Sequence, residues 1–126
     1  MSNVLNESAE NYLETILILS QKLPVVRSVD IANELGFKKS SVSVAMKNLR
    51  EKEHIKVDEQ GFIHLTPSGL EIANMIYERH TLLSSWLIHL GVPADVAAAD
   101  ACKMEHVIRK ESFEAIKRLV YENKEV

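Results

Sequence analysis

One cysteine, three prolines and four glycines in 126 residues are few, and no run of eighteen apolar residues occurs anywhere. A single thiol, Cys102, excludes an internal disulfide. The scarcity of glycine and proline leaves little room for long loops or low-complexity linkers, so a mostly α-helical chain is expected. With no membrane-length stretch, and an N-terminus that is acidic and polar rather than basic and then apolar, neither a membrane span nor a signal peptide is expected, and the expected location is cytoplasmic. An excess of positive charge is also missing, the formal net charge being −3. Nucleic-acid-binding domains tend to be basic, so such a role requires the basic residues to gather on one surface. The 46% apolar content suffices for a core. The length suits one domain, or a small unit with a helical extension that buries apolar faces against a second copy.

Hydrophobic periodicity organises the chain. From Ser8 to Lys22, Tyr12, Leu13, Ile16, Leu17 and Leu19 form one stripe at helical spacing, capped by Asn6 or Ser8 and stopped by Pro24. Ser28 opens a short helix through Leu35 with Val29, Ile31, Ala32 and Leu35 inward, and Gly36 follows where a left-handed residue ends a helix. A third helix starts at Ser40 or just before it, carries Val42, Val44, Met46 and Leu49, and runs to about Lys52. Two helices joined by a short glycine-containing turn predict a helix-turn-helix. The period then alternates at Ile55 and Val57, turns at Asp58 to Gly61 and resumes from Phe62 to Leu65, which predicts a β-hairpin, the wing. Thr66 and Pro67 launch a long helix to about Leu90, ended by Gly91. Pro93 begins another, to about Arg109, and Glu111 or Ser112 begins a last one through Tyr121. The expected domains are a winged helix-turn-helix at 1–66 and a helical region at 67–126.

A recognition helix enters the major groove by its N-terminal turns, which calls for small or flexible donors there. Lys38, Lys39, Ser40, Ser41, Ser43 and Lys47 meet that requirement. Ser40 and Ser41 lie where helix-start amides point at phosphate, Ser43 is placed to reach a base edge, and Arg27 and Arg50 are candidates for backbone contacts. The wing is weakly basic, Lys56 and His64 being set against Asp58 and Glu59, so it is expected to add little affinity. Duplex DNA is the expected partner.

A second constellation lies further on. Cys102, Glu105 and His106 stand at i, i+3 and i+4 on an expected helix, so their side chains share one face. Thiolate, carboxylate and imidazole together suit a first-row transition ion. The competing reading is a small buried cysteine beside a solvated Glu-His pair. His80 lies in an apolar stretch with Ile76, Leu82, Leu83 and Trp86, where a lone histidine is more often a core residue than a ligand. Glu14, one turn after Asn11, sits close enough to the apolar stripe of its helix to require a partner.

The segments ENYLETI (10–16), VDIANELGFKKSSVSVAMKNLREKEHI (29–55), LTPSGLEIA (65–73), ERHTLL (78–83) and ACKMEHVI (101–108) resemble the iron- and manganese-dependent repressors related to diphtheria toxin repressor and the manganese transport regulator. The resemblance covers nearly the whole chain. It implies a metal-dependent regulator, expected to be a repressor, that binds a near-palindromic operator as a homodimer. It also implies His80, Cys102, Glu105 and His106 as metal ligands, with Glu14 matching a glutamate ligand of the manganese type. Asn11 departs from the pattern, its position holding aspartate in manganese regulators and methionine in iron repressors, and stays an open sixth candidate. Ser84 and Ala98 replace the ancillary-site ligands of iron-type members, which implies that this second site is absent. The short remainder after Tyr121 implies a form without the SH3-like domain of larger members.

The thiolate of Cys102 favours Fe(II) over Mn(II), with Co(II), Ni(II) or Zn(II) as in vitro substitutes, whereas Glu14 is a manganese-type feature. An ion bonded to Glu14 only when the DNA-binding head is docked would select the DNA-competent state. Two recognition helices must meet successive major grooves about 34 Å apart, which requires a dimer. Trp86, Leu87, Leu90, Val96 and Ala97 to Ala99 are candidates for that contact, or for internal core. Three rivals remain: a metal-independent winged-helix regulator, a small metalloenzyme with Glu105 as general base, and a pure dimerisation module. No catalytic residue and no small organic substrate is expected, because no nucleophile constellation or glycine-rich loop accompanies the ligands.

Overall fold

A computed structural model describes residues 6–122. Eight elements follow in order: α1 (Glu7–Lys22), α2 (Ser28–Leu35), α3 (Lys39–Glu51), β1 (Ile55–Val57), β2 (Ile63–Leu65), α4 (Pro67–His89), α5 (Ala94–Val107) and α6 (Lys110–Glu122). They form two compact units, divided within α4 between Asn74 and Met75.

In the first unit the Asn6 side chain accepts the Ala9 N–H at 2.7 Å and so satisfies an amide that α1 itself cannot. The expected stripe of α1 is buried from Tyr12 to Leu19 apart from Ile18. At the start of α2 the Asp30 carboxylate accepts the Arg27 N–H at 2.8 Å. Gly36 ends that helix at φ +69°, a left-handed conformation that costs glycine nothing, and its N–H reaches the Ala32 carbonyl. The hairpin is antiparallel, pairing Ile55 with Leu65, Lys56 with His64 and Val57 with Ile63. The Ile63 N–H also donates to the Val26 carbonyl, tying the wing to the segment before α2. Val26, Ile31, Val42, Met46, Leu49, Ile55, Ile63 and Ala73 join the α1 stripe in one core. Three helices and a hairpin around that core make the winged helix-turn-helix.

Two residues depart from the expected pattern. Val29, expected inward, lies at the surface of α2, and Val44 is 61% exposed on α3. Helical geometry explains the second: Val42, Met46 and Leu49 share the buried face of α3, and Val44, between Val42 and Met46 in sequence, is carried round to the other side.

In the second unit Leu82, Leu83, Ala101 and Phe113 form a core against which Trp86, Met104, Ile108, Ile116 and Val120 pack. The helix from Pro93 is shorter than expected. Proline serves as its N-cap, and it ends at Val107, with Ile108 extended. Among the candidates for a contact between copies, Ala97 is buried and Trp86 packs on the core, whereas Leu90, Val96, Ala98 and Ala99 are exposed.

Candidate DNA interface and metal centre

The eight residues expected to meet DNA all belong to the first unit, and all are exposed: Arg27, Lys38, Lys39, Ser40, Ser41, Ser43, Lys47 and Arg50. Lys38 is the N-cap of α3 and Lys39 its first residue, so both stand at the helix start, whose first amides have no internal partners. Arg27 has a specific neighbour. Its guanidinium carbon lies 4.9 Å from the centroid of the Phe62 ring, which stacks the side chain on the wing next to its turn. Within the wing, His64 Nε2 lies 3.0 Å from Asp58 Oδ2, while Asp58 Oδ1 accepts the N–H groups of Gln60 and Phe62. The imidazole and these amides favour the charged carboxylate and hold its pKa below the usual aspartate value. His64 thus meets an acidic neighbour on its own hairpin, which is why the wing offers DNA little net positive charge.

The second unit brings three of the expected metal ligands together. His80 Nδ1 on α4 lies 2.8 Å from Glu105 Oε1 on α5, and His106 Nε2 lies 3.5 Å from Glu105 Oε2. Glu105 is fully buried. Burial of a carboxylate requires strong partners, and here both of its oxygens have an imidazole beside them. Cys102, one turn before Glu105 on α5, is exposed rather than packed as a small core residue. Asn11 is half-buried and Glu14 buried on α1, in the first unit.

Arg79, the neighbour of His80, was not singled out by the sequence. It is buried, and its Nη1 donates to the carbonyls of Glu105 at 3.1 Å and Ile108 at 2.9 Å, while its guanidinium lies over the Phe113 ring. One arginine therefore takes up carbonyls at the end of α5, the turn that carries Glu105 and His106. Nothing local distinguishes such an arginine from the solvated arginines elsewhere in the sequence.

Two imidazoles converging on a buried carboxylate fit a divalent first-row ion, which draws on these donor types. Comparison with known proteins decides the family. The family described as iron dependent repressor, N-terminal DNA binding domain, matches residues 4–65, and its metal binding and dimerisation domain matches residues 66–125. The transcriptional regulator MntR of Salmonella typhimurium is 32% identical over 109 residues, covering 86% of this chain and 69% of that protein. The chain belongs to the iron-dependent repressor family. An uncharacterized HTH-type transcriptional regulator of Methanocaldococcus jannaschii is 30% identical over 115 residues, covering 90% of this chain and 92% of that one. A manganese-dependent transcriptional repressor solved in complex with manganese superposes with a TM-score of 0.81 at 25% identity, covering 89% of this chain and 52% of its own. This chain thus spans about half the length of that repressor.

As a member of the iron-dependent repressors the protein is a metal-dependent transcriptional regulator. The match to a metal-binding domain overturns the metal-independent rival, and the match to a DNA-binding domain overturns the pure dimerisation module. Among the described residues no helix is long and apolar enough to cross a membrane.

Proposed function

We propose that the protein is a cytoplasmic repressor that binds a near-palindromic operator as a homodimer when Fe(II) or Mn(II) is bound. Its two parts divide the work near residue 66, the preceding part meeting DNA and the following part holding metal and partner subunit. The observation that carries this reading is the convergence of His80 and His106 on the buried carboxylate of Glu105. His80, Glu105 and His106 would hold the ion, with Cys102 as thiolate donor. The ion supplies a positive charge that binds these donors at once. Glu14 joins them and Asn11 is the sixth candidate, both on the strength of the sequence resemblance alone.

Fe(II) is the favoured ion because a thiolate is softer than carboxylate. The similar repressor solved in complex with manganese supports Mn(II) instead. Competition between the two ions for the reduced protein distinguishes these readings.

DNA protection over the protein's own upstream region, with and without Fe(II) or Mn(II), tests metal, DNA and their coupling together. Protection that requires metal and disappears in Glu105→Ala is the expected result. Equal protection in chelator removes the metal-dependent reading, and saturable metal binding unchanged by Glu105→Ala removes the assigned site. Loss of activation in Glu14→Ala, with metal still bound, is the corresponding expectation for Glu14.

A further inference from the structure

Val44 is the exposed apolar side chain of the helix assigned to the major groove. It stands in the second turn of α3, 61% exposed, and it is not among the residues that pack on the core of the first unit. Its neighbours at i−4, i−3, i+3 and i+4 are Ser40, Ser41, Lys47 and Asn48, all polar and all exposed. Folding gives no reason for a valine here. A β-branched side chain is a poorer helix former than alanine or lysine, and at this exposure it buries little apolar surface in return. Phe37, also exposed at the turn before α3, differs in having a place in the fold, an edge-to-face contact with Tyr12 at 6.1 Å.

What Val44 can meet follows from the chemistry of the groove. The major-groove edges of base pairs present hydrogen-bond donors and acceptors, and a single apolar group, the C5-methyl of thymine. Resting on the assignment of α3 as the recognition helix, we propose that Val44 reads the C5-methyl of a thymine in each operator half-site. The serine hydroxyls and Lys47 around it satisfy phosphate or polar base edges, and Val44 supplies the apolar contact that excludes cytosine at one position. Valine cannot donate or accept a hydrogen bond, so any other base there leaves its polar edge facing a methyl group.

The test uses the full chain loaded with metal and duplexes selected from a randomised library. Each thymine of the strongest duplex is replaced singly by uracil, which removes the methyl group and nothing else, and affinities are compared at one salt concentration. The wild type should lose about fourfold in affinity at one thymine per half-site, as for one buried methyl group. Val44→Ala should bind more weakly overall and be indifferent to uracil at that position, while remaining as sensitive as the wild type elsewhere. Val44→Thr, nearly identical in shape and retaining one methyl group, should keep part of the discrimination, and thermal melts equal to the wild type confirm that both variants fold. If no thymine separates the wild type from Val44→Ala, the proposal is overturned. Failure to select any duplex would overturn the assignment of α3 itself, an outcome distinct from selection of duplexes whose thymine methyl groups are all dispensable to Val44.

Discussion

His80 Nδ1 lies 2.8 Å from Glu105 Oε1, joining α4 to α5 between residues 25 positions apart. The contact admits two roles for Glu105 toward an ion: direct ligand, or the carboxylate that orients His80 from behind. They differ in magnitude. Removing an orienting partner typically costs about 10–100-fold in metal affinity. Glu105→Gln, which keeps the shape and removes the charge, should weaken Fe(II) or Mn(II) binding by more than that, measured by calorimetry on reduced protein. A loss within the smaller range would make Glu105 an orienting group.

Arg79 should matter to the same end of α5 without touching metal. Arg79→Met leaves the Glu105 and Ile108 carbonyls short of a donor, and each unsatisfied buried group costs about 1–3 kcal/mol. Denaturant unfolding of the metal-free protein should show a destabilisation of at least about 2 kcal/mol, with Arg79→Lys between variant and wild type. Unchanged stability would mean that these hydrogen bonds are replaced by water.

Gly69 offers a test with an unusual sign. In an open helix, glycine to alanine stabilises by about 1 kcal/mol. A Cβ at Gly69 would stand 1.9 Å from the backbone oxygen of His54, so backbone must move. Gly69→Ala is therefore expected to destabilise the protein by at least about 1–3 kcal/mol, the usual cost of overpacking, read from thermal melts. A stabilising effect would show that the start of α4 does not pack this closely on the turn before β1.

The wing should respond to acid. The folded pKa of Asp58 is lowered by His64 and by the Phe62 and Gln60 amides, so its contribution to stability is in place above the unfolded value of about 4 and is lost as pH falls through the folded one. An NMR titration should place the Asp58 carboxyl below ordinary aspartates. His64→Leu removes the largest cause, the side-chain hydrogen bond, and should move it back up; a midpoint that does not move would mean that the pair is not formed in solution.

Much of this architecture was legible in sequence because it depends on neighbours along the chain. Asn6, Gly36 and Pro67 mark helix ends through local backbone chemistry, and the stripe of α1 and the alternation of the hairpin follow from periods of 3.6 and 2. Val29 and Val44 were less legible, since apolar identity does not say which side of a helix the rest of the molecule will cover. The partial division of Trp86 and Ala97 from Leu90 and Val96, core against surface, has the same cause.

Sequence alone determined the polar start of α3: a glycine turn followed by Lys38, Lys39, Ser40 and Ser41 is a local pattern, and the exposure of these residues follows from their polarity. Sequence also put Cys102, Glu105 and His106 on one face, because i, i+3 and i+4 are neighbours on any helix. Only the tertiary structure decided that His80 meets Glu105 and that Arg79 closes the end of α5. Those relationships depend on how separate helices pack, and packing direction is a property of the assembled core that no local period encodes.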